Sequence, residues 1–217
     1  GAEITAGAGI SNLKLANFAR AKNISGLEFL CGIPGSLGGS IKMNSGAFNR
    51  QVEDILVDAS ALSRSGKLVS LPASKMNFDY RQIGVSPGLI FVGAKLRGNL
   101  SNLTQINERM IGIQTERQAS QPIKRPTGGS TFTNPPGTFA WKLIDMAGCR
   151  GLRRGGAQVS TKHCNFLINL GGATAADLEE LGEEVRDRVL DVSGIRLRWE
   201  IERIGVPHDH NLEEVKA

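Results

Sequence analysis

Apolar positions recur along the chain with two different periods, and the switches between them mark its elements. After Gly7-Ala8-Gly9-Ile10, Ser11 stands where an N-cap belongs, and Leu15, Phe18 and Ala19 follow at helical spacing. From Ile55 the period becomes two. Ile55, Val57, Ala59 and Ala61 alternate with other residues, Arg64-Ser65-Gly66-Lys67 turns the chain, and Leu68 to Leu71 returns as the second arm of a hairpin. Leu89 to Leu96 predicts a further strand. A polar helix is predicted from Ser101 to Arg117, with Leu103, Ile106, Met110 and Ile113 on one face. A loop rich in proline and glycine runs from Gln121 to Pro136, followed by a helix from Phe139 to Met146 that Gly148 stops. Val159 and Phe166 to Leu170 read as strand. Thr174, with Asp177 three residues on, opens a last helix, whose stripe is Leu178, Leu181, Val185 and Val189 and whose stop is Gly194. Ile195 to Ile204 reads as a closing strand. Helices mixed with antiparallel strands give an α+β class, divided into residues 1–98, 99–194 and a closing segment 195–217.

The Gly7-X-Gly9 step before a helix invites a dinucleotide-binding reading. That reading fails, because the third glycine of the fingerprint falls on Asn12 and no clear strand precedes the loop.

At 217 residues, 40% apolar and 22% charged, the chain has the composition of ordinary folded protein rather than of disorder. No apolar run is long enough for a membrane span, and the opening Gly-Ala-Glu-Ile-Thr-Ala-Gly has neither a basic region nor an apolar core, so no signal peptide is read there. Cys31, Cys149 and Cys164 are odd in number and widely spaced, which fits neither a disulfide framework nor a metal motif and points to a reducing, cytoplasmic compartment. The only tight histidine pair, His208 and His210, lies in the polar C-terminal stretch, so no metal site is expected. The net charge of +5 is concentrated. Between Arg117 and His163 stand Arg117, Lys124, Arg125, Lys142, Arg150, Arg153, Arg154 and Lys162 against the single acid Asp145. Such a stretch attracts anions or is simply a solvated basic face. Two Phe and one Trp among these cations are few for stacking on nucleic acid, and a phosphorylated small molecule fits at least as well.

Three segments carry candidate chemistry. Gly32-Ile33-Pro34-Gly35-Ser36-Leu37-Gly38-Gly39-Ser40 lets backbone approach a ligand, either as an anion-binding nest or as an ordinary turn, and Asn44-Ser45-Gly46-Ala47 extends the small-residue surface. Lys42 lies in no P-loop context. In Thr127-Gly128-Gly129-Ser130-Thr131-Phe132-Thr133-Asn134, Ser130 is not in a nucleophile elbow, which leaves a proton-donor hydroxyl or a serine turning a tight loop. On an extended Leu197–Gly205, Arg198, Glu200 and Glu202 share one face and Leu197, Trp199 and Ile201 the other, a pattern that a solvated amphipathic strand also satisfies. Phe78-Asp79-Tyr80-Arg81 offers a guanidinium for a carboxylate.

Taken in order, these segments resemble the UDP-N-acetylenolpyruvoylglucosamine reductases. The resemblance runs through Gly7-Ala8-Gly9, Gly26-Leu27-Glu28, Gly32 to Gly39, Met43 to Ala47, Phe78 to Arg81, Gln121-Pro122, Gly128 to Gly137, Gly155 to Asn169 and the stretch with Glu200 and Ile204-Gly205. With no large insertion after Arg97, it looks like the shorter type, which lacks a substrate-covering tyrosine loop. The resemblance implies an FAD enzyme, reduced by NADPH, that converts UDP-N-acetylglucosamine enolpyruvate to UDP-N-acetylmuramate. It also implies the C-terminal half of a bilobed FAD-binding domain followed by an α+β substrate domain, with the N-terminal lobe lying ahead of Gly1. Ser130 matches the proton donor, and Arg81 and Glu200 the pair around the substrate carboxylate. Gly32, Ile33, Pro34, Gly35, Ser36, Gly38, Gly39 and Asn44 match the flavin-contacting segment. Tyr80, Lys124, Arg125, Asn134 and His163 fall at substrate positions. Beside a substrate carboxylate Glu200 would form a like-charge pair, so either Arg81 compensates or Glu200 is protonated. Thr133 and Ser120 stand where the family often has lysine, with Lys124 or Arg125 as the replacement charge. A non-catalytic UDP-sugar-binding module and a different flavin oxidoreductase of the same fold are the alternatives. No nucleic acid or membrane partner is implied.

Overall fold

The computed structural model describes residues 1–205 and forms two compact units, Gly1–Arg117 and Gln118–Ala217. In chain order the first contains β1 (Ala2–Gly7), α1 (Asn12–Ala21), β2 (Ile24–Ser25), α2 (Leu37–Lys42), β3 (Gly46–Ala47), β4 (Arg50–Gln51), β5 (Leu56–Leu62), β6 (Leu68–Pro72), β7 (Phe78–Asp79), β8 (Gln82–Ile83), β9 (Ile90–Leu100) and most of α3 (Leu103–Ser120). An antiparallel sheet orders β1-β9-β5-β6, with β2 also on β9. Ile4, Ala59, Ala61, Phe91, Ala94 and Leu96 point from it into a core closed by Leu15, Ala16 and Ala19 of α1. α1 starts where its cap predicts, because the Ser11 hydroxyl accepts the Lys14 N–H.

Three expectations change. A strand does precede Gly7: β1 pairs with β9 from Ala2↔Gly98 to Gly7↔Gly93. Its pattern was weak because only Ile4 of its six residues is buried. It runs antiparallel to its neighbour, so the dinucleotide reading stays excluded. The boundary drawn at residue 98 lies instead at Arg117, because Ile106 and Met110 of α3 are buried in the first core and carry the helix with them. The closing segment is not separate either, since Leu197 is buried in the second core.

That second unit holds β10 (Thr127–Ser130), α4 (Ala140–Met146), β11 (Arg153–Arg154), β12 (Ala157–Val159), β13 (Phe166–Asn169) and α5 (Ala175–Ser193). Its antiparallel sheet orders β10-β13-β12-β11. Leu181, Val185 and Val189 of α5 pack with Ala157, Val159 and Leu167 of the sheet and with Leu143 and Ile144 of α4. Thr174 and Asp177 cap α5 reciprocally at 3.0 and 2.9 Å, and Gly194, at φ 71°, ends it with its N–H on the Leu190 carbonyl. Ile195 to Ile204 forms no ladder strand; its one bridge is Phe132↔Trp199, and the chain bends at Ile201. No described helix is long and apolar enough to cross a membrane, and no described group of three or more His, Cys, Asp or Glu could hold a metal ion. His208 and His210 lie outside the described residues.

If the buried face of α3 is what joins that helix to the first unit, Ile106→Ala lowers stability in urea by about 2–5 kcal/mol, the cost of a core truncation. Ile111→Ala, at an exposed position of the same helix, stays within about 0.5 kcal/mol. Equal effects would remove α3 from that core.

Candidate functional site

In the first unit the site residues lie on two adjoining loops. The segment after β1 and the Gly32–Gly39 loop are laced together: Leu37 N–H donates to Ile10 O and Gly38 N–H to Ala8 O, both at 2.9 Å, and Asn12 N–H donates to Gly35 O at 3.0 Å. Gly38 is required by this approach, because a Cβ there would lie 2.9 Å from that of Ala8. Asn12 is fully buried at the centre. Its Nδ2 reaches Ser40 Oγ at 2.8 Å and the carbonyls of Ile33 and Pro34 at 3.3 and 3.5 Å. Its Oδ1 is left as the one buried side-chain acceptor without a partner among the described residues. The N–H groups of Leu37 and Gly38 therefore point inward, and no Lys or Arg occurs between Gly26 and Ile41. These are not the features of a phosphate nest, so of the two readings of this loop the nest is the weaker. What faces outward is bare surface: Pro34, Gly35 and Gly39 are exposed, and nothing lies within 4 Å of where a Cβ of Gly9 or Gly35 would be.

Arg81 occupies the turn between β7 and β8 at φ 58°, a left-handed conformation that is strained for a long side chain. Its guanidinium donates to Gly46 O at 2.8 Å and lies 4.8 Å from the centre of the Tyr80 ring. The half-exposed Tyr80 thereby backs the cation. Asn44 is buried and bridges: Nδ2 donates to Asp79 O at 3.1 Å and Oδ1 accepts the Glu53 N–H at 3.1 Å. It braces the Arg81 hairpin.

In the second unit two residues far apart in sequence come to one sheet edge. β10 pairs with β13 through a register shift between Thr127 and Ser130, with Gly129 at φ 89°, a bulge of the kind that re-aims a side chain. Beyond Ser130 the buried run Thr131-Phe132-Thr133 is held on both sides. Thr131 N–H donates to Asn165 O at 2.8 Å, and the Asn165 side chain accepts Phe132 N–H at 3.0 Å and donates to Phe132 O at 2.8 Å. On the other side Thr133 N–H donates to Arg198 O at 2.9 Å and Glu200 N–H to Thr131 O at 2.8 Å. Glu200 thus bonds through its backbone to Thr131, the residue after Ser130, and both Ser130 and Glu200 are half-buried.

Around this edge Asn134 Oδ1 accepts the Ala140 N–H, bracing the start of α4. Lys124 and Arg125 stand exposed on the loop before β10. His163 packs edge-on between Phe166 and Trp141, with ring centroids at 4.8 and 6.5 Å, and its Nδ1 accepts the Asn165 N–H. Burial pushes its pKa below the ordinary value near 6.5, so at neutral pH it is an uncharged imidazole with its N–H on Nε2. The basic stretch is less bare than its sequence: Arg150 pairs with Asp145 at 2.8 Å, Arg154 with Glu180 at 2.5 Å, and Lys162 with Gln118 O. Asn12, Thr131, Asn165 and Trp199 were missed as site residues. None belongs to a residue type that announces chemistry, and only the three-dimensional pairing exposes their role.

The features describe an α+β protein in which a bare, uncharged glycine surface belongs to one unit and a serine–glutamate edge to another. Residues 1–72 match the family model described as FAD binding domain, and residues 121–204 the one described as UDP-N-acetylenolpyruvoylglucosamine reductase, C-terminal domain. The chain is 54% identical over 209 residues to the UDP-N-acetylenolpyruvoylglucosamine reductase of Paramagnetospirillum magneticum, covering 96% of this chain and 68% of that protein. It is 53% identical over 206 residues to that of Rhodopseudomonas palustris, covering 95% and 67%. The crystal structure of UDP-N-acetylenolpyruvylglucosamine reductase from Thermus caldophilus superposes with a TM-score of 0.83 at 35% identity, covering 92% of this chain and 71% of that one. The chain belongs to the UDP-N-acetylenolpyruvoylglucosamine reductase family and spans about two thirds of the length of these relatives.

His163 gives a pH test. Unfolded, it titrates near 6.5; folded, it titrates lower. Its contribution to stability is full above pH 6.5 and is lost as pH falls from there toward the folded value, where the unfolded chain binds the extra proton. The imidazole midpoint by NMR is expected below 6.5, and His163→Gln is expected to lose less stability than the parent between pH 7 and 5. A midpoint at or above 6.5 overturns the assignment.

Proposed function

We propose that this protein reduces UDP-N-acetylglucosamine enolpyruvate to UDP-N-acetylmuramate with FAD as cofactor and NADPH as electron donor. The observation that carries the reading is that the segment with Glu200 is hydrogen-bonded to the strand that follows Ser130, inside the stretch that matches the reductase's C-terminal domain. Reduction of an enolpyruvyl ether adds a hydride at C3 and a proton at C2. FAD, when bound, supplies the hydride chemistry. The protein's own groups do the rest.

Ser130 Oγ is assigned the proton delivered to C2. A hydroxyl is a very weak acid, so it protonates only a reactive carbanion or enol, which hydride addition generates. Arg81 and Glu200 are assigned to the substrate carboxylate and to the charge that develops on hydride attack. The strained backbone at Arg81 is consistent with a cation fixed for a purpose.

Gly32, Ile33, Pro34, Gly35, Ser36, Gly38 and Gly39 are assigned to the flavin ring, with the exposed Gly35 and Gly39 offering it surface without side-chain bulk and the loop without a basic side chain. Asn44 acts on that site through its backbone partners. Lys124 and Arg125 are assigned to the substrate diphosphate, and Tyr80, Asn134 and His163 to its remaining polar groups. The relatives' additional length accommodates a further flavin-domain lobe as partner to this one. A small anionic substrate is the proposed partner, and a cytoplasmic location agrees with three buried free thiols.

The test separates the half-reactions in the full-length protein loaded with FAD. Ser130→Ala is expected to slow flavin reoxidation by the enolpyruvyl substrate by about 10²-fold or more while reduction by NADPH survives. Equal loss of both, or no loss, removes Ser130 from the proton-donor role. Arg81→Ala is expected to weaken both binding and turnover of the enolpyruvyl substrate, and an unchanged rate takes Arg81 out of the site. Binding of the substrate with no flavin reoxidation in the unsubstituted protein would instead mark a non-catalytic UDP-sugar module.

A further inference from the structure

We propose that Trp199 is a positioning residue that locks the Ser130 edge against the segment carrying Glu200, and that Glu183 on α5 holds its indole in place. The inference rests on the roles given above to Ser130 and Glu200. Residues 195–204 have one bridge to the sheet, Phe132↔Trp199, and no ladder. Backbone bonds from Thr133 N–H to Arg198 O and from Glu200 N–H to Thr131 O fix the register of this segment but leave it rotation about that short hinge as a soft motion. In extended backbone, Trp199 and Glu200 project to opposite sides, so that rotation would swing the Glu200 carboxylate.

The indole opposes the rotation at three points. It packs on the fully buried Phe132, with ring centroids 5.0 Å apart and planes at 52°. It lies directly on the α5 backbone at Gly182, where an added Cβ would fall 2.0 Å from the ring. Its Nε1 donates to Glu183 Oε1 at 2.8 Å. Glu183 is fixed in turn: Arg186 donates to its other oxygen, Arg203 lies 3.4 Å away, and Arg186 Nε also donates to Leu197 O at 2.8 Å. Burial alone would raise the Glu183 pKa, but its hydrogen bonds from Trp199 and Arg186 outweigh that and keep it ionised. Phe132 lies two residues after Ser130, and Trp199 immediately before Glu200. One side chain therefore touches both strands of the proposed proton-donor and carboxylate pair.

Three variants of the full-length, FAD-loaded protein test this: Trp199→Phe, which keeps aromatic packing but loses the N–H; Glu183→Gln, which keeps an acceptor but loses the charge; and Gly182→Ala, which displaces the ring. Amide hydrogen exchange reads the segment directly. Residues 198–201 are expected to lose protection while β12 and β13 keep theirs. Flavin reoxidation by the enolpyruvyl substrate is expected to fall about tenfold or more, the scale of a small misplacement of reacting groups, with NADPH reduction within about twofold of the parent. Unchanged protection, or a parallel change in both half-reactions, overturns the positioning role. If Trp199→Phe and Gly182→Ala prevent folding, Glu183→Gln decides alone. A parent protein whose flavin the substrate does not reoxidise would refute the functional reading itself, whereas an active parent with unaltered variants refutes only this inference.

Discussion

The carbonyl of Thr131 accepts the Glu200 amide hydrogen at 2.8 Å, and the arrangement of the second unit depends on that bond. Thr131, Phe132 and Thr133 are all buried, and buried backbone polar groups must find partners. Asn165 supplies them on one side, with its backbone and both ends of its amide. The closing segment supplies them on the other, through Arg198 and Glu200. Slipping the closing segment by one residue would leave those groups unmatched and turn Glu200 to the opposite face. The register that pairs Glu200 with Thr131 is therefore enforced by desolvation of the buried strand.

The first unit solves a different problem with the same means. Its glycine loop has its N–H groups drawn inward to the carbonyls of Ala8 and Ile10, and Asn12 gathers three acceptors from the loop and α2. The outer surface is left smooth and electrically quiet. A surface of that kind favours a planar, uncharged ring and would be poor at holding a diphosphate, which needs outward N–H groups or cations. The glycines thus act here through absence of bulk, whereas in a phosphate-binding loop they act through free amides.

Much of this was legible in the chain. The helix caps at Ser11 and Thr174, the α5 stripe and the Ile55–Leu71 hairpin follow from local rules, and all are present. β1 was hidden because a strand with a single buried residue carries no alternation. The unit boundary was misplaced because turn residues at Gly98–Ser101 are a local signal, while the allegiance of α3 is decided by where Ile106 and Met110 pack. The closing segment has the alternation of a strand but lacks a ladder partner along its length, so its pattern reports burial of Leu197 and Trp199 rather than sheet pairing. Ser130, Arg81 and Glu200 are proposed from an ordered set of motifs. Asn165, Thr131 and Trp199 could not be, because asparagine, threonine and a lone tryptophan read as surface or core until their partners are known.

The polar residues of the second unit fall into two groups with separate physical roles. Asn165, Thr131 and Thr133 are buried and bonded to backbone, so they set geometry and carry no net charge. Lys124 and Arg125 are exposed, and attraction to an anion from such positions is long-ranged, screened by salt and tolerant of exact placement. Arg150 and Arg154 share the basic stretch but are tied to Asp145 and to Glu180, which moves them from the second role toward the first. The formal charge of the stretch therefore overstates its pull on a ligand, and of the rest Lys124 and Arg125 lie on the loop leading into β10, Lys142 on α4 and Arg153 on β11. With the roles proposed for Lys124 and Arg125, charge changes on that loop would alter affinity for an anionic substrate without disturbing the strand around Ser130, while changes within the buried amide network would alter that strand without changing the charge.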